Sequence, residues 1–500
     1  MTGPIPPAAP IDVTGGSHGV AATYARVRAL ATSYDTAGNR LRDQARLGPA
    51  TMADGDLVES ALLSPGTFAD AERACLATAA GPDGLVLGSL GWETDAILVR
   101  ATVAAFEETD RLVHATLEMI DTQVGRLSGT LLSWVVATGV VTAPLWLAPL
   151  LVDGGVLAGV FHLLPPSLQQ QLTAAGGALS DQAITELQDW VIDHPDLVQH
   201  AVNGSGGFIE GFVTGLLPGV PPGTLPVSLT AEGAAGILAG AYPPDGDPRV
   251  DVRDDRASPG GQGPLPGTLA GVLQHLDRVN GWSPGPASPD NGTIEIQTWV
   301  GSDGVPHHIV YVPGTDDLTT TPWTQDGDVR DLHTNLTVIG GGDTAYGEGI
   351  LQAMHDAGIS PDDPVMIVGH SQGGMEAVWA AGRGDFNVTQ VVTAGSPVAA
   401  MGEPPGDTSV LSLENHGDVV PLLDGEHNPD TASHVTVTFS DGGDGIGGHH
   451  DLAHYVAGAA GVDASTDPSL TDHLAEMRGQ GFLTGGRADV TYQAFQITRT

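Results

Sequence analysis

Apolar positions recur with two different periods along the 500 residues, and the change of period divides the chain. Early on, Tyr24, Val27, Ala31, Tyr34, Gly38, Leu41 and Ala45 follow one another at spacings of three and four. From Trp92 onward Val99, Val103, Phe106, Asp110, Val113, Leu117, Ile120, Val124 and Leu127 keep the same rhythm, interrupted only by Asp110. Positions spaced in this way line one side of a helix and bury against a partner helix. The pattern predicts an all-α region of long antiparallel helices over residues 1–128, with shorter helices at 57–63 and 68–79.

Residues 131–151 then carry no charged side chain, a length that spans a bilayer core. Gly139 and Pro144 interrupt the stretch, so a buried helical hairpin and a membrane contact are both open readings. This apolar hairpin and the helices after it are assigned to 129–217. From 218 to 288 Pro, Gly, Asp and Ser dominate, and the segment reads as an acidic linker with one helix at 268–279.

After about residue 289 the period switches again. Ile294, Ile296, Thr298 and Val300 alternate into the turn Gly301-Ser-Asp-Gly304, and 308–312 returns, which predicts a hairpin. A helix at 344–357 is followed by strand 365–368, a helix from Met375, strands at 388–393, 410–413 and 434–439, a helix from Asp451 and an alternating tail at 490–497. Strands and helices in alternation imply a mostly parallel sheet covered on both faces, with ligands at the carboxyl ends of its strands.

The chemistry is concentrated at those ends. Strand 365–368 runs into Gly369-His370-Ser371-Gln372-Gly373, a G-x-S-x-G sequence between a strand and a helix. That context suits a nucleophile elbow, in which flanking glycines permit a sharp turn and the serine hydroxyl is held out at the sheet edge. A serine needs a base, and the base needs an orienting carboxylate. Elbow folds supply these in the order Ser, acid, His. Asp418, in the turn after strand 410–413 and 47 residues past the serine, is the expected acid, with Glu414 its rival at the strand end. His450, 32 residues further on, is the expected base, with His449 and His454 as alternatives. For the oxyanion, the N–H of Gln372 is one donor by the geometry of the elbow, and Gly314 and Thr315 after strand 308–312 are placed to supply the second. Two metal readings compete with this: His450 with His454 at helical spacing, and Asp441, Asp444 and Asp451 among glycines. Neither gives a full ligand set, so no metal and no cofactor is expected.

Residues 290–500 resemble an α/β-hydrolase of the serine lipase and esterase type. The resemblance rests on Gly369-His-Ser-Gln-Gly373, Thr393-Ala-Gly-Ser-Pro397, Asn415-His-Gly-Asp-Val-Val-Pro421 and His450 five before Tyr455. The Gly-Ser-Pro and Asp-Val-Val-Pro pieces are similar to the fungal-type lipase branch, where the Asp and a later His complete the triad. It implies a small acyl ester or lipid substrate, and the apolar middle segment fits an apolar acyl group. The helical first part resembles the N-terminal regions, related to small WXG-type secreted proteins, of actinobacterial hydrolases, although Gly91-Trp92 stands in place of W-x-G. That resemblance implies a helical protein partner and envelope-associated or non-classical secretion.

The net charge of −42, with every basic residue an arginine, argues against nucleic acid and anionic headgroups as partners. One cysteine rules out an internal disulfide. Residues 1–10 lack the basic and apolar regions of a conventional signal, which leaves location open.

Overall fold

The structure, a computed structural model, describes residues 6–137, 195–208, 210 and 230–500, apart from 53, 82–83, 284, 286–287, 303, 405–406 and 443–444. The chain divides into two compact units, residues 20–116 and residues 1–19 together with 117–500.

The first of these is helical, as its periodicity predicts. Helix α1 (Val20–Met52) and the first part of α4 (Leu85–Ala137) run antiparallel, and α2 (Gly55–Leu63) and α3 (Pro65–Ala80) lie between them in the chain. Side chains along the two helices meet in an antiparallel sense: Tyr24 with Phe106 at a ring separation of 6.4 Å, and further along α1 Tyr34 with Trp92 at 5.0 Å and Asp35 with Arg100 at 2.5 Å. Ala31, Ala96 and Val103 form the closed part of the seam. Much apolar surface stays outside it, including Leu62 and Leu63, 88% and 89% exposed.

In the second unit ten strands, among the described residues, form one mixed sheet. They are β1 (Ile11–Gly15), β2 (Pro248–Val252), β3 (Gly261–Pro264), β4 (Thr293–Val300), β5 (Pro306–Val312), β6 (Val365–His370), β7 (Val388–Ala394), β8 (Ser409–Asn415), β9 (His434–Phe439) and β10 (Arg487–Arg499). Their order is β1-β9-β8-β7-β6-β5-β4-β10-β2, and β3 also pairs β10. Strands β5 to β9 are parallel, so their carboxyl ends share one edge. The expected hairpin is present as β4 and β5, paired Glu295 to Tyr311 and Trp299 to His307.

Helices cover both faces. Further helices are α5 (Pro195–Asn203), α6 (Ala231–Ala239), α7 (Leu269–Asn280), α8 (Leu332–Ile339), α9 (Ala345–Asp356), α10 (Gln372–Arg383), α11 (Gly445–His449), α12 (Leu452–Ala464) and α13 (Pro468–Gly479). One core joins α7, α12 and α13 to the sheet, and the other joins α9 and α10 to its opposite side. On α7, Leu269, Val272, Leu273, Leu276 and Val279 make one wholly buried stripe, each leucine contributing about 2 kcal/mol by leaving water.

The 218–288 segment departs from its linker reading. Strand β2 pairs Val250 with Ile497 and Val252 with Phe495, β3 pairs Gly261 with Val490, and α7 is core. Pro248 and Gly261 suit short edge strands, which carry little alternation and draw their stability from the long C-terminal strand β10. Strand β1 was likewise unexpected, and it closes the other edge by pairing Ile11 with Phe439. The boundary expected near 289 therefore falls inside the sheet-bearing unit. Residues 138–194 and 211–229 lie outside the described residues, and with them most of the 131–151 stretch. Among the described residues no helix is long and apolar enough to cross a membrane.

A buried acid in α10 carries a stability prediction. Glu376 is fully enclosed, accepts one hydrogen bond, from Thr344 at 2.7 Å, and is pushed up to about 8, chiefly by burial and then by the charge of Asp245, against the lowering effect of Thr344. A carboxyl that holds its proton more tightly folded than unfolded makes stability fall as pH rises from its unfolded value near 4.5 to 8. Every tenfold gain in proton affinity on folding corresponds to about 1.4 kcal/mol. Glu376→Gln removes the ionisation, so its melting temperature should exceed the parent's by about 5 °C at pH 8 and converge with it near pH 5. Equal slopes between those pH values in thermal melts of the two proteins would contradict this.

Candidate functional site

At the carboxyl end of β6 the backbone turns through Ser371, with φ 53° and ψ −122°. Among the described residues it is the one non-glycine with positive φ, a strain of the order of 1–3 kcal/mol that folds retain at functional turns. The turn is fixed by a hydrogen bond from the Ser371 N–H to Ala394 O at 2.9 Å. It also needs glycine at 373, where a Cβ would lie 2.1 Å from Val312 O. Ser371 is the N-cap of α10, which places the helix's positive end behind its hydroxyl.

The other candidates come from the same sheet edge. Asp418 follows β8, and its Oδ2 meets His450 Nδ1 at 2.6 Å. Two further groups hold that carboxylate: the Val420 N–H donates to Oδ1 at 2.9 Å, and the Tyr455 hydroxyl donates to Oδ2. Burial, then the adjacent Asp418 charge, pushes the Tyr455 phenol well above its ordinary range, so it stays a donor. Gly395, at φ 64°, lies against this pair, and a Cβ there would sit 2.7 Å from the Tyr455 oxygen. With Nδ1–H committed to Asp418, Nε2 of His450 carries the lone pair that a general base needs.

Ser371 and His450 line one cavity of about 320 Å³. No hydrogen bond joins Oγ to Nε2 in this arrangement. In unliganded sites such contacts are commonly long and tighten around substrate. The rest of the wall is largely apolar: Ala235 and Leu238 from α6, Leu336 and Ile339 from α8, with Met375 and Leu423. A larger groove of about 620 Å³, lined by Trp299, His307 and Arg478, contains none of these groups.

The rivals are occupied elsewhere. Glu414 accepts from Asn428 Nδ2 at 2.6 Å and is pushed up to about 7, by burial and then by Asp424 and Asp418, so it is poorly suited to pair a histidine as a carboxylate. His454 pairs with Asp441 at 3.0 Å. The His449 ring packs against Gly417, and its carbonyl accepts from Asn415 Nδ2 at 2.9 Å. Asp451 caps α12 through the Ala453 N–H, Asp444 lies outside the described residues, and among those described no three His, Cys, Asp or Glu side chains are grouped to hold a metal.

The N–H groups of Gln372 and Thr315 make no hydrogen bond among the described residues, and Thr315 shares the cavity with Ser371. The Gln372 side chain ties elbow to loop, donating to Val329 O at 3.2 Å while its Oε1 accepts from Thr315 Oγ1 at 3.4 Å. Gly314 passes close over the elbow, since a Cβ on it would lie 2.8 Å from Ser371 Cβ.

Three contributors were not foreseen. His370 donates from Nε2 to His450 O at 3.0 Å and packs ring on ring at 4.6 Å. Burial, followed by the nearby His450, holds it well below the usual imidazole range, so it remains neutral. Tyr455 stood in a motif, but nothing local showed that its hydroxyl would reach Asp418. Helix α6, which walls the cavity, lay in the segment read as linker.

No protein-family model, characterised protein or solved structure matches this chain.

Proposed function

We propose that the chain is a serine hydrolase of the α/β-hydrolase type that cleaves an ester with an apolar acyl group, as lipases and esterases do. The observation that carries this is a strained serine at a strand-to-helix turn facing the same cavity as a histidine already bonded to a buried aspartate.

In the proposed reaction Ser371 Oγ attacks the ester carbonyl while His450 Nε2 takes its proton. The negative charge on the carbonyl oxygen is met by the N–H groups of Gln372 and Thr315. Collapse of the tetrahedral intermediate breaks the bond to the alcohol, which leaves with the proton from His450. Water then attacks the acyl-enzyme by the same route, releasing the acid and restoring Ser371. Asp418 holds the imidazole in the required tautomer and orientation. The apolar wall suits an acyl chain and offers little to a charged one.

A second reading rests on the apolar surface of the helical unit, above all Leu62 and Leu63. It makes the chain an envelope-associated interaction protein that binds a helical partner, with the hydrolase site idle. Asp418→Asn separates the two. The hydrolase reading expects kcat on a p-nitrophenyl ester to fall by about 10⁴ with KM little changed. Parent and variant turning over at the same background rate would favour the second.

A further inference from the structure

We propose that Arg330 is a positioning residue that aims the second oxyanion donor, the Thr315 N–H, at the reacting carbonyl. The inference rests on the esterase reading above and adds a residue to it.

Gly314 C=O and Thr315 N–H belong to one planar trans peptide, so they point in opposite directions and fixing one fixes the other. Arg330 Nε donates to Gly314 O at 2.5 Å. The guanidinium is almost wholly buried and lies outside the cavity, whereas Thr315 lines it beside Ser371 and His450. The carbonyl is thus drawn away from the nucleophile and the N–H is left facing it.

A buried arginine is more often one half of an ion pair, and Asp316 is nearby. The distances decide against that as its main task. The carboxylate lies 3.5 Å from Nη1, beyond a good hydrogen bond, and Asn280 Oδ1 takes Nη2 at 3.2 Å, so the closest contact of the guanidinium is the peptide carbonyl. The backbone of Arg330 grips the same loop. Its carbonyl accepts the N–H groups of Asp316 at 3.0 Å and Asp317 at 3.2 Å, and its own N–H donates to Asp328 Oδ1 at 2.7 Å. A full positive charge on the carbonyl oxygen also polarises the amide and makes its N–H a stronger donor. Gly314 has no side chain to hold this plane away from the elbow, and any Cβ there would strike His370 O at 2.7 Å.

Arg330→Lys keeps the buried charge beside Asp316, but an ammonium cannot reproduce the planar fork that spans Gly314 O and Asn280. With a p-nitrophenyl ester, kcat should fall by about 10- to 100-fold while KM stays within about twofold, because only the transition state presents the oxyanion. The rate ratio of that ester to its thionoester should fall by a similar factor, since sulfur accepts hydrogen bonds weakly, and the pH profile should keep its midpoints. A kcat within twofold of the parent, or an equal loss on both substrates, overturns the proposal. If Arg330→Lys does not fold, Asn280→Ala decides: it frees one arm of the fork and should lower kcat by about 3- to 10-fold with the same selective effect on the oxygen ester. Parent-like kinetics in that variant overturn the proposal. A parent protein that neither turns over the ester nor reacts with a fluorophosphonate overturns the esterase reading itself, and the role of Arg330 with it.

Discussion

Ser371→Ala should lower ester turnover by about 10⁴-fold or more, with the fold intact. The substitution deletes one buried oxygen and nothing that holds the turn. The Ser371 hydroxyl caps no backbone group, and the contact that fixes the elbow is made by the main-chain N–H to Ala394. Alanine meets the same positive-φ strain as serine, so the melting temperature should stay within about 2 °C of the parent's. Purified variant and parent on a p-nitrophenyl ester, with thermal melts alongside, check both halves. Turnover undiminished in a folded variant would place the nucleophile elsewhere.

A comparable loss is expected for His450→Ala, and the neighbouring histidines make the experiment discriminating. His450 is the one of the three bonded to Asp418, so in the proposed mechanism its removal leaves Ser371 without a base, for a fall in kcat of about 10⁴ or more. His454 pairs with Asp441 near the surface, and His454→Ala should keep turnover within about twofold. His449 packs on the glycine beside Asp418, so His449→Ala should fall between, through displacement of the acid. Steady-state kinetics on the three variants give the ranking. Full activity without His450, or collapse without His454, would reassign the base.

Much of the site was legible because its parts are local. Strand β6, the glycine-flanked Ser371 and helix α10 are contiguous, and the period change from two to three-and-a-half is strong there. Asp418 and His450 were preferred over Glu414, His449 and His454 from chain order and from their positions after strands, and what the sequence could not supply was the contact between them, Asp418 Oδ2 to His450 Nδ1. What could not be read were interactions closed across long sequence separations. Residues 248–264 lack a strand pattern because they add to an existing edge, β10, more than two hundred residues away. Arg330 sits in a polar loop whose composition announces only a turn, and its meaning comes from one bond to Gly314. Helix α6 is short, rich in Ala and Gly, and becomes a wall only when α8 packs beside it.

In the proposed mechanism the Ser371 hydroxyl is activated by the His450 imidazole that lines the same cavity. Treating the folded protein with a fluorophosphonate and mapping the adduct by peptide mass spectrometry tests it directly. One adduct is expected, on Ser371, absent in Ser371→Ala and formed far more slowly in His450→Ala. A folded protein that takes up no label, or takes it up at another residue, would contradict it.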